Sequence, residues 1–70
     1  NMTTDFNNII PEGVLFNLKE IQEMHLMKVS MTKKLIYKNE IEAVRIASKL
    51  HISRAELIRY LEANTFAIAS

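Results

Sequence analysis

Cysteine and tryptophan are absent from this chain of 70 residues, and glycine and proline occur once each. Without cysteine there is neither a disulfide framework nor a thiolate zinc site. A single glycine cannot build a phosphate-cradling loop, and so few turn residues argue against an all-β fold. Charge of one sign is lacking as well. Nine Lys plus Arg against eight Asp plus Glu leave a formal charge of +1, which gives no net pull toward nucleic acid but leaves room for a local basic face. No apolar run approaches the roughly 18 residues that span a bilayer. The N-terminus has neither a basic region nor a following hydrophobic block, so the expectation is a cytoplasmic protein that makes no membrane contact. Asn1 ahead of Met2 reads as an added residue, with Met2 the expected natural start.

What is present favours helix. The composition is 49% hydrophobic and 24% charged, too apolar for a disordered chain. A single domain of this size buries only about 60% of the surface its unfolded chain exposes. Self-association is the usual supplement for so thin a core, so a homodimer is expected.

One signal occurs three times from Asn17 onward: a capping residue followed three positions later by Glu, which satisfies orphan N–H groups at a helix start. The pairs are Asn17 with Glu20, Asn39 with Glu42, and Ser53 with Glu56. Phe16 with Ile21, and Ile52 with Leu57, occupy the positions of a hydrophobic staple. The spacing predicts an all-α fold of three helices, with a long first helix and a helix-turn-helix-like C-terminal half. The first helix runs from about Leu18 to Lys34 or Tyr37, with Leu18, Ile21, Met24, Met27, Met31 and Leu35 recurring every three or four residues. Lys33 to Tyr37 could instead be a short extended piece. The second helix covers about Glu40 to Leu50 and buries Ile41, Val44, Ala47 and Leu50. The third covers about Arg54 to Ala63 and buries Leu57, Leu61 and part of Tyr60. Residues 1–16, holding Asn7, Asn8, Pro11 and Gly13, form a flexible arm whose Ile9 and Ile10 are candidates to dock on the core. Residues 17–64 form the helical domain and 65–70 a short tail.

Between Val44 and Leu61 the chain fits the packing positions of a helix-turn-helix: Ala47 at the crossing, Leu50 before the turn, Ile52 after it and Leu57 in the second helix. The same pattern describes helix pairs that never meet DNA. His51 falls where the turn needs a positive φ and usually has Gly. Arg54 and Arg59, with Arg45 and Lys49 nearby, are the candidate DNA contacts. Glu56, Glu62, Ala55 and Ile58 make that face mixed, and its carboxylates would repel phosphate. Lys33, Lys34 and Lys38 read as a solvated face, an acidic partner or phosphate being the sharper alternative.

The apolar positions Leu18, Ile21, Met24, Met27, Met31 and Ile58 are the candidate dimer or partner interface, the methionines being pliable enough to repack against a partner helix. No chemistry suggests itself. His25 and His51 are far apart and lack partners at metal-ligand spacing. Ser30, Thr32 and Ser53 have no activating base. The chain is expected to be no enzyme and to hold no metal or cofactor.

From Gly13 to Asn64, about three quarters of the chain, Val14-Leu15-Phe16-Asn17, Ser30-Met31-Thr32, Tyr37-Lys38-Asn39-Glu40-Ile41-Glu42-Ala43 and Leu57-Ile58-Arg59-Tyr60-Leu61-Glu62 resemble the small AraC negative regulators of Gram-negative enteric pathogens. The resemblance implies a dimeric, non-enzymatic protein. It would bind AraC-type transcription activators, block their dimerisation or DNA binding, and so damp virulence genes. It also implies association with nucleoid-structuring proteins. It assigns no contacts residue by residue. The alternative expectation is a regulator that binds DNA directly through the third predicted helix.

Overall fold

The computed structural model describes residues 4–68; the expectations for Asn1 and Met2, and for Ala69 and Ser70 of the tail, lie outside them. The chain is α/β, not all-α. In order it forms α1 (Phe6–Ile9), β1 (Leu15–Asn17), α2 (Leu18–Glu23), α3 (Val29–Tyr37), β2 (Val44–Ile46), β3 (Lys49–Ser53) and α4 (Arg54–Ala63). The strands make one antiparallel sheet in the order β1-β3-β2. Phe16 lies opposite Ile52, and Arg45 opposite Leu50. Because cross-strand partners share a face, Phe16, Ile52, Leu50 and Arg45 form one row along the sheet.

The start signals at Asn17 and Ser53 work as their residue types require. At α2 both halves of the capping box form: the Glu20 N–H donates to the Asn17 side chain at 2.7 Å, and the Asn17 N–H donates to the Glu20 carboxylate at 2.8 Å. At α4 the Glu56 N–H donates to Ser53 Oγ at 3.0 Å. Both staples are buried, with Phe16, Ile21, Ile52 and Leu57 all in the core beside Ile10, Leu18, Leu35, Ile41 and Ile58.

The long first helix is two helices. His25 sits at φ 62° and ends α2. Its N–H donates to Gln22 O at 2.9 Å, and the Leu26 N–H donates to Ile21 O at 3.3 Å, the paired bonds of a Schellman close. The chain then turns through Met27 and Lys28 into α3. The Gln22 side chain on α2 accepts the Val29 N–H at 2.8 Å and so caps the helix that follows. Thr32, fully buried, donates its hydroxyl to Lys28 O at 3.2 Å, which leaves no unsatisfied group there. The apolar stripe read as continuous is therefore divided: Leu18, Ile21 and Leu35 belong to the core, whereas Met31 is exposed.

The second predicted helix is a β-hairpin. Asn39, read as a helix start, instead closes α3 at φ 61°. Its N–H donates to Ile36 O at 3.0 Å, and the Glu40 N–H donates to Leu35 O at 2.9 Å. Asn suits both a helix start and a left-handed close. Beyond it, Val44–Ile46 and Lys49–Ser53 pair across a two-residue turn in which Ala47 (φ 49°) and Ser48 (φ 69°) are both left-handed. That is the hairpin turn whose twist matches the strands, normally supplied by Asn-Gly or Asp-Gly. The helix-turn-helix expected between Val44 and Leu61 is therefore not formed, its first helix being the hairpin; the consecutive helices joined by a short turn are α2 and α3, earlier in the chain. His51 lies extended in β3, and His25 takes the left-handed turn position instead.

Left-handed Ala47 and Ser48 hold the turn at a steric disadvantage. The double substitution Ala47→Asn, Ser48→Gly is expected to stabilise the fold by about 1 kcal/mol. In thermal unfolding followed by circular dichroism, this should raise the midpoint by about 4–8 °C.

Candidate nucleic-acid interface

The antiparallel register carries Arg45 past Leu50 on the core-facing row of the sheet, so the hairpin extends beyond the core with a cation on its inner side. Opposite it, α3 turns Thr32 and Leu35 inward. At 100° per residue this leaves Ser30, Lys33, Lys34 and Tyr37 on the outer half of the helix. Between the two lies a groove of about 470 Å³ whose lining includes Lys19 from α2, Lys33 and Tyr37 from α3, and Arg45, Ser48 and Lys49 from the hairpin. Four cations line it and no carboxylate does. Among the described residues none of the four takes part in an ion pair. Close cations without counter-charges make a positive surface in a molecule whose net charge is nearly zero.

A larger hollow, about 810 Å³, adjoins the groove, sharing Arg45 and Leu50 with it, and includes Glu40, Glu42, Glu56 and Arg59 in its lining. Its carboxylates make it a poor seat for an anion, whatever its size.

The remaining two arginines are occupied. Arg54 donates Nε–H to Pro11 O at 2.9 Å, and Nη2 to Asn7 O at 2.7 Å and Ile10 O at 3.0 Å. It thus satisfies the carbonyls at the end of α1, where a cation is favourable. Its approach to Glu12, 4.0 Å away and almost fully exposed, adds little. Arg59 donates Nε–H to Glu56 Oε1 at 2.7 Å, and Nη2 to Glu56 Oε2 at 2.8 Å and Glu40 O at 3.2 Å. Glu56 also accepts the Glu42 N–H at 2.8 Å. The hydrogen bonds from Arg59 hold the Glu56 carboxyl below its ordinary value, burial opposes them, and the Glu42 N–H adds to the lowering. Arg59 is raised in turn, chiefly by the same bond to Glu56.

Of the four DNA-contact candidates read from the sequence, the structure thus brings Arg45 and Lys49 together in the groove and places Arg54 and Arg59 elsewhere, in contacts with backbone carbonyls and Glu56. The apolar candidates scatter. Leu18, Ile21 and Ile58 are buried within this chain, Met24 and Met27 pack partly against the core, and Met31 is exposed on α3. Nothing in the sequence distinguishes Lys19, and Lys33 belongs there to a solvated face. Their approach to Arg45 and Lys49 depends on a hairpin whose signal is the alternation of Val44 and Ile46, then Leu50 and Ile52, around a turn without glycine. Compared with family models, curated proteins and solved structures, the chain matches none. Among the described residues no helix is long and apolar enough to cross a membrane, and no His, Cys, Asp or Glu cluster could hold a metal.

The lowered Glu56 carboxyl makes stability depend on pH. A group depressed in the folded state contributes above its unfolded value, and that contribution is lost as pH falls through the folded value. Unfolding free energy is expected to decline as pH drops below the ordinary value of 4.5. The decline should be shallower in Glu56→Gln, measured by urea titrations between pH 7 and pH 3.

Proposed function

We propose that this protein binds duplex DNA, with α3 entering the major groove and the β2–β3 hairpin following the backbone beside it. The observation that carries the reading is the carboxylate-free groove between those elements, lined by Lys19, Lys33, Arg45 and Lys49. Two helices joined by a tight turn, with the second presenting a polar outer face, are the arrangement that lays a helix across base edges. The nine residues of α3 extend about 13 Å, and an α-helix about 10–12 Å across with its side chains fits a major groove about 12 Å wide. Ser30 and Lys34 on its outer face are placed to meet base edges, and Lys33, Arg45 and Lys49 to meet phosphates. A hairpin beside such a helix pair gives a winged helix-turn-helix. The role that follows is a transcriptional or architectural DNA-binding module with no catalytic chemistry.

The antiactivator reading implied by the family resemblance drew its physical support from one long helix with apolar surface to spare. That helix is divided at His25, with Leu18, Ile21 and Leu35 buried internally, and apolar surface open to a partner lies instead at Val14, Val44, Ile46, Phe66 and Ile68.

Fluorescence anisotropy with a labelled 20-base-pair duplex of random sequence tests the proposal. Binding in the range of about 1–100 µM is expected, with affinity falling linearly against log salt at a slope of roughly −3 to −4. Lys33→Ala, Arg45→Ala and Lys49→Ala should each weaken binding to every sequence and reduce the slope by about one. Absence of binding at low salt, or a slope that none of the three substitutions changes, would overturn it.

A further inference from the structure

We propose that Glu56 and Arg59 are positioning residues for DNA binding, acting as a latch from α4 that fixes how far the hairpin stands from α3. The proposal rests on the reading of the groove as a DNA site. The two walls of that groove are joined by the short segment from Lys38 to Ala43, which begins with the left-handed Asn39. Beyond Glu40, whose N–H closes α3, the segment makes no backbone-to-backbone hydrogen bond before β2 begins. Pairing with β3 ties the hairpin to the sheet at its base, and the connector is the direct link in the chain between the hairpin and α3.

Two contacts from α4 restrain it. The Glu56 carboxylate takes the Glu42 N–H at 2.8 Å, and Arg59 reaches Glu40 O at 3.2 Å. Between these two residues Ile41 is buried in the core, so the connector is held by its backbone on one side and by its side chain on the other. The bidentate Glu56–Arg59 pair locks the latch itself, because each residue sets the other's rotamer. The Glu56 side chain is 11% exposed and that of Arg59 53%, so the pair is sheltered on the carboxylate side and open to water on the guanidinium side. Arg59 also stands close to the carboxylates of Glu56 and Glu42, both of which raise its pKa electrostatically. Without it, like charges would gather at the connector and push it away from α4.

Neither residue touches the groove, so the latch predicts an effect on affinity without an effect on the number of phosphates neutralised. The chain has no cysteine, and a spin-label pair introduced by Tyr37→Cys and Ile46→Cys reports the separation of α3 and hairpin in the free protein. Glu56→Ala and Arg59→Ala are expected to broaden that distance distribution. Each should lower affinity for the random-sequence duplex by about tenfold, with the salt slope unchanged. Glu56→Gln retains an oxygen for the Glu42 N–H and should recover most of both losses.

An unaltered distribution and affinity in folded Glu56→Ala and Arg59→Ala would overturn the proposal. A salt slope reduced by one in Arg59→Ala would also overturn it, showing a direct phosphate contact. If Glu56→Ala does not fold, Glu56→Gln and Arg59→Ala decide by the same readouts. A broadened distribution in a protein whose wild type binds no duplex would overturn the DNA role while showing that the latch fixes the hairpin, which separates the two failures.

Discussion

Pairing of Lys49–Ser53 along both edges is the constraint on which the remainder of the fold depends. Strand β1 precedes α2 and strand β2 follows α3, so bonding both to β3 closes the helix pair into a loop on the sheet. The same strand runs without interruption into α4, and its Ile52, with no exposed surface, is centred in the core. Each functional element inherits its position from that strand. The hairpin projects because β3 continues past β1 to pair with β2, and the latch reaches the connector because α4 begins where β3 ends.

A core of nine buried apolar residues is thin for 70 residues, and side-chain-to-backbone bonds fill the places where regular structure is missing. Gln22 caps α3 from the neighbouring helix, Arg54 closes α1, and Glu56 holds the connector. Each replaces a backbone partner that a longer helix or wider sheet would supply. The same substitution accounts for the charge distribution. Two of three arginines are bound to intramolecular acceptors, and the seven remaining cations all lie between Lys19 and Lys49. Four of them, Lys19, Lys33, Arg45 and Lys49, share one groove.

Helix ends hid more than helix starts. Gly marks a left-handed close plainly, but here His25 and Asn39 perform it, and neither residue type excludes a continuing or beginning helix. The stripe from Leu18 to Leu35 keeps its helical spacing in the sequence across the break, although α3 buries Thr32 and Leu35 and exposes Met31. The segment from Ile41 to Leu50 carries apolar residues at 41, 44, 47 and 50, a helical spacing. It also carries them at 44, 46, 50 and 52, which suits two short strands. A turn of Ala47-Ser48 offers nothing to separate the two readings, since its residue types favour neither.

Residues close in sequence settled where α2 and α4 begin, through Asn17 with Glu20 and Ser53 with Glu56, and settled that Phe16, Ile21, Ile52 and Leu57 are core. Those interactions span three to five positions, so the chain itself contains both partners in one window. The choice of hairpin over helix at Val44–Ser53 was decided only in three dimensions, because β1 lies more than thirty residues away from its partner strand. The fate of each cation was decided there too. Arg54 bonds carbonyls 43 to 47 positions earlier, whereas Arg45 and Lys49 form no ion pair among the described residues, and no local pattern separates an arginine held by the fold from one on its surface.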